Sequence, residues 1–566
     1  MTQNMRYLPI FIAGWFASFL AQAGMAAQQA EESFDVSVVV DASDTQGELR
    51  PVWRFFGADE PNYAYMKDGR KLLGQLGELK PDQVYFRTHN LLTSGPGYPA
   101  LKWGSTNAYT EDADGKPQYD WAIVDRIFDT YRDNDVRPYV QIGFMPEALS
   151  VQPQPYAHQW RPGSPYDEVY TGWAFPPDDY DRWRELVYQW TLHCVERYGK
   201  EEVEKWWWET WNEPNIGYWQ GTPEEFHKLH DYAMDGVLKA LPTARVGGPD
   251  VAGDGGDFAR NFYRHCLEGT NYATGKKGTR LDFVSFHAKG SPRWEDDHIR
   301  MGIANQLRTI DRGFGIVAEF PELRQTPIVI GESDPEGCAA CQGDQFSYRN
   351  GTMYSSYTAA SFARKQDLAD RHDVHFAGAL TWAFTFEDQP YFAGFRQLAS
   401  NGLAMPVLNV FRMMSKMEGN RVKATSDQMV SLDQILKEGV RQKPDVGTIA
   451  SRQGNTIAVM VWHYHDDDLE GPAAQVRLQI NDLPEGAKTA KVQHYRVDQF
   501  HSNAYDAWRR MGSPVAPNRR QYAELEEASQ LALLDLEPVA SLSDGPWETT
   551  FSLPRQGVSL IVLECE

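Results

Sequence analysis

Between residues 53 and 384 a short apolar run followed by a stretch of helical periodicity recurs eight times, and few folds accommodate that rhythm. The apolar runs cover 53–57, 84–88, 137–143, 205–211, 244–248, 282–286, 327–330 and 378–384. Amphipathic stretches lie between them, among them 120–134, 179–198, 223–240 and 353–373. Parallel neighbouring strands need a long crossover, usually a helix. Eight such units predict a closed (β/α)8 TIM barrel, an α/β fold, over residues 51–420.

At 566 residues the chain is too long for one hydrophobic core, so a second domain is expected. From about residue 421 the helical period gives way to strict alternation, at 456–463, 475–480, 490–497, 548–553 and 558–564. An antiparallel β-sandwich over 421–566 follows from that pattern. Phe34, Val36, Val38 and Val40 alternate with Asp35, Ser37 and Val39, which is the signature of a half-buried strand. It fits no barrel unit, so segment 28–50 is expected to join the sandwich.

Arg6, an apolar run over 8–20 and small residues up to Ala27 read as a signal peptide over 1–27, which predicts a secreted or periplasmic protein. The run is shorter than the about 20 apolar residues of a bilayer span, so no stable membrane anchor is expected. The net charge of -23 argues against nucleic acid as a partner. Cys338 and Cys341 form one C-x2-C, which reads as a local disulfide or two free thiols rather than half of a zinc site, since no second pair or nearby His completes one.

A barrel of this kind carries its site at the C-terminal ends of its strands. Strand four runs into Asn212-Glu213-Pro214, and strand seven ends in Glu332. Barrel closure brings those two ends across one mouth. Glycoside hydrolysis needs two such carboxyls: one protonates the leaving oxygen, while the other attacks the anomeric carbon or activates water. Asn212 can bond the hydroxyl beside the reacting carbon. Glu209 lies within the strand and reads as a barrel hydrogen-bonding residue. Two carboxylates and water suffice for this chemistry, so no cofactor and no metal is expected.

These residues resemble glycoside hydrolase family 39, the β-xylosidase and α-L-iduronidase family of a retaining barrel clan. The likeness spans roughly residues 53–417. It is carried by Glu209-Thr210-Trp211-Asn212-Glu213-Pro214-Asn215, by His193-Cys194-Val195-Glu196-Arg197-Tyr198-Gly199 before it, and by Phe86-Arg87-Thr88-His89. The resemblance implies Glu213 as acid/base and Glu332 as nucleophile. It further implies that Arg87 braces the nucleophile and that His89 and His287 line the sugar site, although a buried ion pair or a structural histidine would also explain them. Trp382 is a candidate platform under the sugar whose bond is cleaved, or a core residue. Glu60, at the end of strand one, either binds hydroxyls or caps a helix.

The substrate divides the evidence. His287-Ala288-Lys289-Gly290 and Gly331-Glu332-Ser333-Asp334-Pro335 are closer to the iduronidase branch, with Lys289 a candidate partner for a uronate carboxylate or a loop lysine. Thr381-Trp382-Ala383-Phe384 is closer to the xylosidase branch. The expectation is an exo-acting, retaining β-D-xylosidase on an oligo- or polysaccharide. An iduronidase-like hydrolase and a non-catalytic carbohydrate-binding barrel are the alternatives. A metal-dependent hydrolase would need more convergent His and Asp ligands than His89 and His287 supply.

Overall fold

The computed structural model describes residues 33–97, 104–154, 156, 173–534, 539–542 and 545–566. The leader expected over 1–27 lies outside them. Strands one to eight of the barrel are Phe55–Ala58, Val84–Thr88, Val136–Gln141, Trp207–Glu209, Arg245–Val251, Phe283–His287, Ile328–Glu332 and Phe376–Thr381. Each pairs in parallel with the next, and the eighth returns to the first through Leu380 and Phe55. Helices such as Tyr180–Tyr198 and Pro223–Ala240 form the crossovers. The second of these starts at a reciprocal Thr222–Glu225 capping box, which satisfies two of its free amides.

Successive strand side chains alternate between faces, so residues two apart share the barrel interior. Phe55, Tyr85, Tyr139, Trp207 and Phe283 form an aromatic floor: Phe55 stacks on Tyr85 with centroids 5.2 Å apart, and Trp207 meets Phe283 edge-on at 4.9 Å. Two residues further along the same strands stand Gly57, Arg87, Gln141, Glu209 and Ser285. A polar layer thus rests directly on an aromatic one, which shields its charges from water below. Gly57 is required here, because a Cβ at this position would lie 2.5 Å from the Trp382 ring.

The second domain is one ten-stranded sheet that curls on itself. Its two arms enclose a core of Val36, Val38, Val40, Val459, Leu478, Ile561 and neighbours. The strand Ser33–Glu48 lies inside this sheet, antiparallel to Asn420–Ser426 and parallel to Ala473–Asn481. That one parallel seam departs from the all-antiparallel expectation. Ser33–Glu48 reaches the sheet before the barrel and its partner after it, so the barrel itself serves as the connection that a parallel pair needs. Arg364, on the barrel helix Thr352–His372, is buried against the sheet domain and donates to the Val430 carbonyl at 2.7 Å and to both Asp445 oxygens.

Candidate active site

Strand four leaves the ladder at Glu209, earlier than the apolar run to Trp211 predicts, and this break shapes the site. Beyond it the chain turns to the C-terminal end of strand five. Glu213 N–H donates to the Asp250 carbonyl at 2.9 Å, and Asn215 and Ala252 exchange two hydrogen bonds of 2.9 and 2.8 Å. Both Glu213 and Asp250 take left-handed backbone conformations, with φ of 45° and 58°. A non-glycine residue holds such a conformation at a cost of order 1–3 kcal/mol, and it persists where surrounding bonds over-determine it.

The barrel brings Glu213 and Glu332 onto one imidazole. His287 Nδ1 lies 2.8 Å from Glu213 Oε1 and 3.8 Å from Glu332 Oε2. The two carboxylate oxygens are therefore no farther apart than those two lengths laid end to end. The about 6.5–9.5 Å of an inverting pair would need the vectors to be collinear, whereas a retaining pair sits at about 5–5.5 Å. The other nitrogen of His287, Nε2, lies 2.9 Å from Asp250 Oδ2. Burial pulls this histidine down, but Asp250, Glu332 and Glu213 reverse that and carry it up to about 10, so it is an imidazolium at neutral pH.

Glu332 is buried beside two cations and a histidine. Lys289 Nζ donates to it at 2.6 Å, and Arg87 Nη1 and His89 Nε2 each lie 3.6 Å from Oε1. Burial alone would raise its carboxyl, but Lys289, His287, His89 and Arg87 outweigh that and hold it at about 2. Lys289 also donates to Asp334 at 3.1 Å, so its charge meets two carboxylates. It is a largely buried part of the site, not an exposed loop lysine.

Arg87 organises the layer below. Its guanidinium donates to Glu209 at 2.9 Å, to the Asn212 amide oxygen at 3.1 Å and to Asp250. Glu209, the last residue of its strand, points inward and accepts from Tyr139 at 2.9 Å and Ser285 at 2.6 Å. Burial and Asp250 push its carboxyl up to about 8. Trp382 lies over Arg87, 5.2 Å from its ring centroid, and 4.4 Å from the His89 ring. Its backbone N–H donates to Asp334 at 3.0 Å, which ties this wall to the Lys289 pair. His89 Nδ1 lies 2.9 Å from Asp59 Oδ1. Glu60, the neighbour of Asp59, is buried just before the short helix Pro61–Tyr65, where its carbonyl accepts from Tyr63 at 3.1 Å.

The structure thus gathers Arg87, His89, Asn212, Glu213, His287, Lys289, Glu332 and Trp382 at one mouth. It adds Asp250, Asp334 and Asp59, which sequence reasoning did not single out. Asp250 was legible in principle, as a carboxylate just past the strand-five run 244–248. Cys338 and Cys341 form a disulfide in the loop after Glu332. Among the described residues no group of three or more His, Cys, Asp or Glu side chains is arranged to hold a metal ion.

A closed parallel barrel with two glutamates from the ends of strands four and seven on one histidine defines a barrel glycosidase. Residues 36–534 match Glycosyl hydrolases family 39, and the chain belongs to that family. It is similar to a β-xylosidase of Geobacillus stearothermophilus, 25% identical over 550 residues that cover 94% of this chain and 96% of that protein. It is also similar to an α-L-iduronidase of Mus musculus, 26% identical over 385 residues, 61% of this chain and 56% of that one. A monomeric β-xylosidase from Caulobacter crescentus shares the fold, with a TM-score of 0.72 at 20% identity, covering 93% of this chain and 99% of that one.

Proposed function

We propose that the enzyme is an exported, retaining, exo-acting β-D-xylosidase that removes terminal xylose from an oligo- or polysaccharide. The observation that carries the substrate choice is the double engagement of Lys289. Its ammonium meets both Glu332 and Asp334, so a uronate carboxylate would enter as a third anion around one cation. A neutral sugar brings no such conflict. The Geobacillus stearothermophilus xylosidase also matches over 96% of its length, whereas the iduronidase relatives match over 54–75% of theirs. The apolar leader and the Cys338–Cys341 disulfide favour an oxidising compartment.

In the first step Glu213 gives its proton to the glycosidic oxygen while Glu332 attacks the anomeric carbon. The aglycone leaves as an alcohol, and a glycosyl ester forms on Glu332. In the second, Glu213, now a carboxylate, takes a proton from water. The water oxygen bonds the anomeric carbon, and Glu332 leaves as a carboxylate. Arg87 occupies the Asn212 amide oxygen, which leaves the NH2 group to donate to the 2-hydroxyl as positive charge develops on the ring. Trp382, backed by Arg87 and His89, supplies the apolar floor under the sugar.

Aryl β-xyloside, α-L-iduronide, α-L-arabinoside and β-galactoside substrates test this reading. The xyloside is expected to be turned over fastest, with retained configuration. Faster iduronide turnover would overturn the substrate, and inversion would overturn the covalent intermediate. Because Lys289 acts on the nucleophile, Lys289→Ala is expected to weaken every substrate that turns over. The loss should be roughly 1.5–3 kcal/mol, the scale of a charge-assisted hydrogen bond.

A further inference from the structure

The end of strand five grips Glu213 from two directions, and both grips come from one residue. The Asp250 carbonyl accepts the Glu213 N–H at 2.9 Å, fixing the left-handed main chain of the acid/base. The Asp250 carboxylate lies 2.9 Å from His287 Nε2, while His287 Nδ1 lies 2.8 Å from Glu213 Oε1. We propose that Asp250 is the positioning residue of the acid/base: as the ion-pair partner facing His287 Nε2 it leaves Nδ1 to donate, and thereby holds the Glu213 carboxyl in one orientation. The inference rests on Glu213 being the acid/base.

The chemistry follows from the acceptor set. Asp250 is fully buried and already paired to Arg87 on strand two. Its carboxylate can only accept, so the nitrogen facing it must carry a hydrogen. On the other side His287 faces Glu213 from strand four and Glu332 from strand seven, with Lys289, from its own strand end, reaching Glu332. Three carboxylates thus surround one imidazole, and Asp250 is the largest charged influence that keeps it protonated. With Nδ1–H donated to Glu213 Oε1, the proton that Glu213 delivers sits on Oε2. Were His287 neutral, Nδ1 could accept instead and draw that proton away from the leaving group. Asp250 Oδ1 sits in the space that a side chain at position 331 would fill, since a Cβ at Gly331 would lie 2.0 Å from it.

Asp250→Asn tests the proposal through leaving groups. A nitrophenolate departs with little protonation, whereas the alcohol of a disaccharide or alkyl glycoside needs it. In Asp250→Asn, kcat/KM on the alkyl glycoside is expected to fall about 10–100-fold, part of the 10²–10⁴-fold that general acid catalysis supplies. The nitrophenyl glycoside should lose far less. The alkaline limb of the kcat/KM profile should also move to lower pH, as the imidazole loses its proton sooner. Equal losses on both leaving groups with an unmoved limb would show a merely structural role and overturn the proposal. His287→Gln keeps the test open if Asp250→Asn does not fold: it should show the same leaving-group bias, and equal losses there would also overturn it. Where both fold, the double variant should be no worse than the worse single one. The comparison runs on whichever glycoside the wild type cleaves, so an error in the sugar leaves this test intact.

Discussion

The barrel mouth and the curled sheet are both buried, yet they are built on opposite rules. In the sheet, Val36, Val38 and Val40 point inward, Asp35 and Ser37 point outward, and apolar area removed from water supplies the stability. At the mouth, Arg87, Glu209, Asp250, His287 and Glu332 are packed together where apolar residues would hold more cheaply, and two residues keep left-handed backbones. Replacing a buried charge network by apolar groups is often neutral or stabilising, so a cluster like this is poor evidence of stability and good evidence of function. The sheet is held by apolar burial, while the mouth spends stability on preorganised charge.

That contrast can be broken most sharply at the two carboxyls. Glu332→Gln is expected to lower kcat by about 10⁴-fold or more on every substrate, with the fold intact by circular dichroism. Glu213→Gln is expected to lose about 10²–10⁴-fold on a substrate with a poor leaving group and less on an activated one. The same dependence on both leaving groups for both variants would erase the distinction between nucleophile and acid. In the sheet the pattern should reverse. Leu478→Ala, a fully buried position, is expected to cost about 2–5 kcal/mol in denaturant unfolding of that domain while leaving kcat unchanged. A loss of kcat at unchanged stability would mean that the sheet shapes the site.

The smallest effect is a pH signature. Glu332 is held at about 2 against an ordinary 4.5, so the stability it contributes is full above 4.5 and is lost as pH falls from there toward 2. His287 is raised to about 10 from 6.5, so its contribution is full below 6.5 and is lost as pH rises through that range toward 10. These two groups together therefore contribute most between pH 4.5 and 6.5. The gap in Tm between wild type and His287→Gln should be widest there and close toward pH 10. A gap independent of pH would show that the imidazole is not held charged.

How much of this was legible beforehand differs by residue. The eight barrel strands begin within two residues of the apolar runs in the sequence, because buried parallel strands must be apolar wherever the fold places them. Glu213 and Glu332 were legible because a strand end in such a barrel is a place of known geometry. Asp250 was not singled out, because its importance lies in a 2.9 Å approach to a histidine on another strand, which no local pattern encodes. The role of Lys289 was open for the same reason: the sequence shows a cation near Glu332, but not that two carboxylates already share it.

Period and composition thus determined, from the chain alone, a barrel of eight parallel strands, an alternating sheet domain and two carboxyls at strand ends. Tertiary structure alone decided which charges meet, the parallel seam of Ser33–Glu48, and the early break in strand four that turns Glu213 toward strand five. The physical reason is range. Hydrophobic periodicity is read over a few neighbouring residues, whereas hydrogen bonds and ion pairs act between atoms about 3 Å apart that closure of the barrel brings together from opposite ends of the sequence.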